Sequence, residues 1–173
     1  MRLAKREVRD ADDLRGIVGQ CRTLRLGLCD AEGPFIVPVS FGFEWAGDGD
    51  GACAADRPGD GGRGLTLWIH SAREGRKAAA LRSGGAIAIE MDRELGIYSG
   101  DFSCTWSMAY ESIMGSVVAR EALTRTEKTH GLSLLMAHMA PGADVHFDDA
   151  ALEATAVFAL EVGELTGKRR EAC

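Results

Sequence analysis

The sequence predicts an α+β, mainly β fold: a six-stranded antiparallel barrel, closed or nearly closed, with flanking helices. Three observations predict it. Six segments have the pattern of a strand, and most of these segments follow one another closely enough to form hairpins. Most of the connections between them lack a helical pattern. A parallel sheet needs a helix in nearly every such connection, so the antiparallel barrel is favoured. We expect one domain over residues 1–173, a length typical of single domains.

Composition and charge argue against several classes of function. The chain is 46% hydrophobic and 27% charged, as ordinary globular proteins are. Its 26 acidic and 20 basic residues give a net charge of −6, whereas a long nucleic-acid surface needs a basic stripe. No segment approaches the roughly 18 consecutive apolar residues of a membrane span, and no apolar stretch follows the basic N-terminus. We therefore expect a cytoplasmic protein that binds neither nucleic acid nor membranes.

The first part of the chain predicts one helix and two strands. Asp10 can cap a helix whose apolar side chains fall at helical spacing, namely Leu14, Ile17, Val18 and Cys21. The period then changes to two, which predicts a first strand over residues 24–28 and a second over residues 35–43. Pro38 lies inside the second strand. Because proline cannot donate a ladder hydrogen bond, we expect an edge, a bulge or a ligand there.

The remaining elements follow a segment rich in glycine and aspartate, residues 47–64, which we interpret as a flexible hairpin insertion rather than a calcium loop. Four more strands are predicted over residues 65–69, 87–91, 110–119 and 156–162. Thr124 and Glu127 form a capping box for a helix. Its buried stripe is expected to consist of Leu132, Leu135, Met136 and Met139. A short helix is expected near residues 148–154.

The segment His70–Lys77, where the third strand runs into a helix, carries the strongest local signal. Ser71 and Glu74 fit a capping box, which predicts a helix that continues to about Leu81. Three cations, Arg73, Arg76 and Lys77, fall within its first two turns. Cations there oppose the helix dipole unless an anion binds. The pattern therefore fits either a phosphate site or a solvated basic face with a plain serine cap.

The histidines and cysteines do not predict a metal site. His70 closes the third strand, where it could contact a bound ring, transfer a proton or serve a structural role. His130 and His138 stand eight residues apart, so they cannot bind one metal in the i, i+4 manner, and His146 has no partner at a suitable spacing. Five cysteines without a C-x-x-C pair favour free thiols. No nucleophile elbow, P-loop or dinucleotide fingerprint is present in the sequence.

Several segments, in this order, carry a family resemblance: Pro38–Gly42, Leu67–Ala72 with Gly75–Lys77, Trp106–Ile113 and Thr166–Arg169. Together they resemble the nitroimidazole-resistance-type branch of the pyridoxamine 5'-phosphate oxidase-like flavoproteins. The match covers nearly the whole chain apart from residues 47–64. The resemblance implies a six-stranded FMN-binding split barrel, a homodimer, and FMN held in a cleft at the subunit interface.

The resemblance also implies which residues bind the cofactor. Val39 and Ser40 would line the isoalloxazine ring. The ring and the ribityl chain would be bordered by Ile69, His70, Ser71 and Ala72. Arg76 and Lys77 would pair with the phosphate, in agreement with the surplus of cations in this segment. Trp106 and Ser112 would lie near the ring, contributed by the same chain or by the other subunit.

Two main hypotheses about function follow. The first is an FMN-dependent oxidoreductase that reduces small aromatic acceptors such as nitroimidazoles, with His70 as the candidate catalytic residue. The alternative is a non-catalytic flavin- or haem-binding carrier or sensor, and a plain interaction module is a third reading. True pyridoxamine phosphate oxidases have a C-terminal substrate-binding segment with an arginine and a histidine, whereas this chain ends with Thr166–Cys173. We therefore do not expect the vitamin-related activity.

Overall fold

The computed structural model describes residues 4–46 and 64–171, and all of the described strands belong to one antiparallel sheet. The strands are β1 (Glu7–Val8), β2 (Leu24–Asp30), β3 (Gly33–Val39), β4 (Gly42–Trp45), β5 (Leu65–Ala72), β6 (Ile87–Tyr98), β7 (Ser107–Glu121) and β8 (Thr155–Arg170). The helices are α1 (Ala11–Gln20), α2 (Arg76–Arg82), α3 (Arg125–Met139) and α4 (Asp149–Ala154), with short 3-10 turns at Ala4–Arg6 and Ser103–Thr105.

The sheet curls into a barrel. Its strand order is β3-β2-β6-β7-β8-β5-β4, and β1 pairs with β8 beside this path. β3 and β4 lie at opposite ends of the path, yet only Ser40 and Phe41 separate them in the chain. Because a chain advances at most about 3.6 Å per residue, the two edges come within about 11 Å of each other. In the described residues no pairing joins β3 to β4, so the barrel is split along this seam.

The barrel interior is filled by alternate side chains of the strands. Leu26, Ile69, Met91 and Phe158 are among the side chains that are fully buried there. A second, smaller cluster lies outside the barrel, between β5, β8 and α3, and consists of Trp68, Ala122, Val157 and Ala159. The first half of β8 is therefore buried on both faces, which explains its continuous apolar run.

The predicted helix caps at the start of α1 and α3 are confirmed. The Asp10 carboxylate accepts hydrogen bonds from the backbone N–H groups of Asp12 and Asp13, each at 3.0 Å. Thr124 and Glu127 form the expected capping box at the start of α3. Asp148 caps the short helix α4 in the same way. None of the described helices is long and apolar enough to cross a membrane.

The predicted fold class is confirmed, but residues 4–46 and 64–171 contain eight strands rather than the six predicted. The predicted strand over residues 35–43 is in fact two strands, β3 and β4, because the chain turns at Ser40–Phe41 and changes partners from β2 to β5. β1 is only two residues long, too short to show a period. The expectation of an edge at Pro38 is confirmed, since β3 lies at the edge of the sheet.

The predicted capping box at Ser71–Glu74 is wrong. β5 continues through Ala72, because Ser71 pairs with Ala156 of β8, and the Ser71 side chain is buried. α2 begins only at Arg76, after Gly75 with a φ of 115° that favours glycine. Strand pairing therefore overrides the local capping pattern. The predicted insertion over residues 47–64 lies outside the described residues except for Gly64.

Candidate functional site

Two of the predicted site segments meet at the end of β5. Gly42 of β4 pairs with Trp68 of β5 in antiparallel register. Ser40 and His70 each lie two residues beyond this pair, so both are at the same end of the two strands. Lys77 of α2 joins them, because its Nζ donates a hydrogen bond to the His70 carbonyl oxygen at 3.3 Å. The Ser40 end of the seam between β3 and β4 therefore lies beside the end of β5 and the start of α2.

Strand alternation decides which side chains of this group face outward. His70 and Ala72 of β5 are exposed on the outer surface of the barrel, as is Ser40. Ile69 is fully buried and Ser71 is 6% exposed, so both side chains point into the barrel. Val39 is half-buried and packs against the barrel core. A ligand on the outer surface would therefore contact the side chains of Ser40, His70 and Ala72. It could reach Ile69 only through the backbone.

The electrostatics at the end of β5 favour a neutral His70 imidazole next to the Lys77 ammonium. The His70 residue is exposed, but neighbouring protein atoms remove part of the solvent around its ring and so lower its pKa. The positive charge of Lys77 lowers this pKa further. The imidazole is thus mainly neutral at neutral pH. Burial also lowers the pKa of Lys77. Within the described residues the Lys77 ammonium has one acceptor, the His70 carbonyl oxygen, so two of its three N–H donors stay available.

Arg76, the other predicted phosphate ligand, already has an anionic partner. Its Nε and Nη2 donate to the two oxygens of the Asp30 carboxylate at 2.7 and 2.8 Å, and its guanidinium lies 4.1 Å from the centre of the Phe35 ring. This hydrogen bonding raises the pKa of Arg76 and lowers that of Asp30. The surplus of positive charge predicted from the sequence is therefore partly neutralised by Asp30, which sequence reasoning missed.

Arg73, the third cation of the segment, lies in the bend before α2. Its Nη1 donates to the carbonyl oxygen of Glu153 in α4 at 3.3 Å. The Arg73 carbonyl oxygen accepts a hydrogen bond from Arg82 at 2.7 Å. Arg73 therefore faces α4, away from the Asp30–Arg76 pair.

Within one chain, Trp106 and Ser112 lie far from the end of the barrel that carries His70. Ser112 pairs with Lys168 of β8, whereas His70 pairs with Val157 of the same strand. These two positions are eleven residues apart along β8, or about 36 Å at about 3.3 Å per residue. Trp106 precedes β7 still farther along, with 58% of its surface exposed.

An open face, defined here as the outer surface of β3, β2, β6 and β7, connects these two regions. One row of paired residues crosses it: Ile36, Gly27, Ala88 and Ser116. Its centre is thus made of small residues. Apolar side chains surround the centre, with Ile36 71%, Val118 52% and Met114 38% exposed. Arg25 forms ion pairs here with Glu90 and Asp92.

The other histidines of the fold have structural partners. His130 Nε2 lies 2.9 Å from a carboxylate oxygen of Glu44, and His138 Nδ1 lies 2.8 Å from the Phe41 carbonyl oxygen. His146 contacts Asp144 on the surface. In the part of the chain that the structure describes, no three His, Cys, Asp or Glu side chains are grouped as a metal ion would require. Of the described histidines, His70 is the one placed at the seam.

The fold and this seam define an antiparallel split barrel, and comparison with known proteins identifies the family. The family model described as pyridoxamine 5'-phosphate oxidase matches residues 10–169. The chain belongs to this family. No curated protein sequence gives a significant match.

Solved structures agree with this assignment. A candidate 5-nitroimidazole antibiotic resistance protein from Bacteroides thetaiotaomicron is 27% identical, with a TM-score of 0.71 over 94% of this chain and 85% of that one. The flavocytochrome Anf3 from Azotobacter vinelandii is 20% identical, with a TM-score of 0.74 over 99% and 72% of the two chains. An FAD and heme binding protein from Mycobacterium smegmatis is 19% identical, with a TM-score of 0.76 over 96% and 74%. The last two comparisons concern the fold alone.

Proposed function

We propose that this protein is an FMN-dependent oxidoreductase that reduces small aromatic acceptors such as nitroimidazoles. Membership of the pyridoxamine 5'-phosphate oxidase family supports flavin binding. The 27% identity with the candidate nitroimidazole resistance protein supports the substrate class. The observation that carries the proposal is the seam itself, where Ser40, His70 and the Lys77 ammonium lie at one end of β5.

The residues at the seam fit a phosphorylated flavin. Lys77 offers N–H donors to a phosphate. Arg76 beside it can offer Nη1, which does not contact Asp30 and lies 3.7 Å from a carboxylate oxygen of the exposed Glu32. Ser40 and His70 offer polar groups on the outer surface where a flat ring could lie. Bound FMN would supply the redox chemistry, and the protein would hold and orient the substrate. His70, as a neutral imidazole, would donate or accept a hydrogen bond next to the ring.

The proposal includes a homodimer with the flavin between two copies of the chain. Along β8, the partner of Ser112 lies about 36 Å from the partner of His70, and Trp106 lies farther still, too far for one ring to contact both groups within one chain. The open face offers a row of small residues with exposed apolar side chains around it, at Ile36 and Val118. Such a surface suits a self-complementary two-fold contact. In the dimer, Trp106 and Ser112 would approach the partner's seam.

Spectroscopy of the purified protein tests flavin binding. We expect absorbance peaks of an oxidised flavin, either as purified or after addition of FMN. A Soret band would instead favour the haem-binding alternative, and a colourless protein that FMN does not stabilise would exclude both. Stopped-flow mixing of the reduced protein with a nitroimidazole tests catalysis. Flavin reoxidation no faster than in a buffer control would favour a carrier or sensor.

A double substitution tests the assignment of the phosphate site. Arg76→Ala with Lys77→Ala should weaken FMN binding much more than riboflavin binding, because riboflavin lacks the phosphate. The matched control is Lys5→Ala with Arg9→Ala, which removes the same charges from two exposed positions. Equal losses for the two ligands would show that the phosphate binds elsewhere. Titration of flavin fluorescence gives both dissociation constants.

A further inference from the structure

The corner Ser40–Phe41 is held in place by contacts other than strand pairing. It joins β3 to β4, and neither of its residues belongs to a strand. Its backbone groups therefore lack the ladder hydrogen bonds that fix the neighbouring residues. The Phe41 side chain is fully buried, while Ser40 is exposed at the seam. Another part of the fold must hold the backbone of this corner.

His138, in the last turn of α3, makes that contact. Its Nδ1 lies 2.8 Å from the Phe41 carbonyl oxygen, so the ring N–H can donate to it. The imidazole also packs edge-on against the rings of Phe41 and Phe43, at 4.6 and 5.0 Å between centres. Its Nε2 lies 3.3 Å from the Gly19 carbonyl oxygen, a longer and weaker contact. The imidazole is thus wedged between the corner and the end of α1.

The backbone of His138 is itself fixed from two sides. Arg22 donates to the carbonyl oxygens of His138 and Met139, at 3.0 and 2.5 Å. Gly42, directly after the corner, packs against the backbone of α3. A Cβ at Gly42 would lie 2.3 Å from the Leu135 nitrogen, so only glycine permits this approach. The end of α3 is therefore a rigid support for the corner.

We propose that His138 is a positioning residue, which fixes Ser40 at the flavin site through the Phe41 carbonyl oxygen. This inference rests on the proposed function, because Ser40 matters only if the ring binds at the seam. In this proposal His138 acts through the corner, by its contact with the Phe41 carbonyl oxygen, and not by contact with the ligand. Its effect should be the same for FMN and riboflavin, which share the ring, whereas the effect of Arg76 and Lys77 should depend on the phosphate.

Two substitutions of His138 distinguish the contribution of its Nδ1–H donor from that of the size of its side chain. In His138→Asn, the side-chain amide can place an N–H group where Nδ1 stands, whereas in His138→Gln the N–H group replaces Nε2. We expect His138→Gln to weaken FMN and riboflavin by a similar factor of about five, the effect of one lost hydrogen bond. His138→Asn should stay within about twofold of the unmodified protein. The visible circular dichroism of bound flavin should change in the first variant and not in the second.

Controls make each outcome decisive. His130→Gln changes a histidine of the same helix that contacts Glu44 instead of the corner, and it should leave both dissociation constants unchanged. Thermal unfolding of each variant reports general damage to α3. If His138→Gln does not fold, Arg22→Gln replaces it, with the same equal weakening of both ligands expected.

The inference is overturned if the Asn and Gln variants bind flavin equally well, or if only FMN is affected. If the unmodified protein binds no flavin at all, the proposed function fails first, and the positioning role fails with it.

Discussion

The outer surface of the barrel has two regions, one covered by a helix of the same chain and one exposed to solvent. Over β4, β5 and the first half of β8, helix α3 covers the strands, and Trp68, Val157 and Ala159 are at most 4% exposed. We refer to this as the covered face. On the open face, by contrast, Ile36 is 71% and Val118 52% exposed. The covered face is complete within one chain, whereas the open face leaves apolar surface in water.

The two faces also differ in the use of small residues. On the covered face Gly131 lets α3 lie directly on Trp68, since a Cβ there would be 2.2 Å from the ring. On the open face the small residues Gly27, Ala88 and Ser116 lie side by side on neighbouring strands, and a Cβ added at Gly27 would meet Ala88. Small residues therefore serve an internal contact on one face. On the other face we propose that they serve a contact with a second copy, which builds the flavin site.

The largest effect should follow from a charge on the open face. Ala88→Arg places a cation at its centre, and a two-fold contact would bring two such cations together. We expect the dimer dissociation constant to rise by about a hundredfold or more. Analytical ultracentrifugation measures it. Ala150→Arg on exposed α4 is the matched control and should leave the dimer intact. A stable Ala88→Arg dimer would place the subunit contact elsewhere.

On the covered face, Gly131→Ala should reduce stability. The new methyl group would overlap the Trp68 ring, so the free energy of unfolding should fall by about 2 kcal/mol. Urea denaturation gives this value. Gly16→Ala in α1, where a Cβ would meet nothing within 4 Å, is the control and should stabilise the protein by about 0.5–1 kcal/mol. The prediction is wrong if both variants are equally stable.

A smaller effect is expected where the open face meets α2. Asp30→Asn removes the charge that pairs with Arg76 but keeps the oxygen that accepts the backbone N–H of Glu32. With Arg76 released, FMN should bind about two- to fivefold more tightly, and riboflavin should not change. Isothermal titration measures both. Glu32→Gln, 3.7 Å from Arg76 and 78% exposed, should change FMN binding less. Weaker FMN binding in Asp30→Asn would mean that Asp30 orients Arg76 for the phosphate.

The smallest predicted effect is a pH dependence at the start of α3. Hydrogen bonds from the Thr124 backbone, and then from Arg120, lower the pKa of Glu127 from 4.5 to about 2. A carboxylate whose pKa is lower in the folded state stabilises it above about pH 4.5, and this contribution is lost as the pH falls towards 2. Unfolding midpoints between pH 2 and 6 should converge for Glu127→Gln and the unmodified protein at the acidic end. Parallel curves would assign the acid response to other groups.

The sequence predicts elements well where the signal is local. Asp10 and Thr124 cap helices as expected, because a cap depends on residues three positions away. The Ser71 capping box fails for the opposite reason, since β5 is held by β8, more than eighty residues later. The split between β3 and β4 is hidden because Phe41 keeps the inward alternation while the chain changes its pairing partner.

The contacts of the candidate site also fall into local ones, which the sequence predicts, and long-range ones, which it does not. His70 and Lys77 are close in sequence, so their proximity was predictable. Asp30 lies 46 residues before Arg76, and Phe41 lies 97 residues before His138. Both contacts depend on how the barrel closes, for which no local pattern gives a signal.

Subunit complementation tests most directly the central claim, that each flavin site combines residues of two chains. One protomer carries Arg76→Ala with Lys77→Ala, the other carries Trp106→Ala with Ser112→Ala, and mixed dimers are isolated with two affinity tags. In a mixed dimer, one site has all four substitutions and the other has none. We predict FMN bound to half of the sites, with the affinity of the unmodified protein. If each site belongs to one chain, every site is damaged, and mixed dimers that bind no FMN tightly would contradict the account.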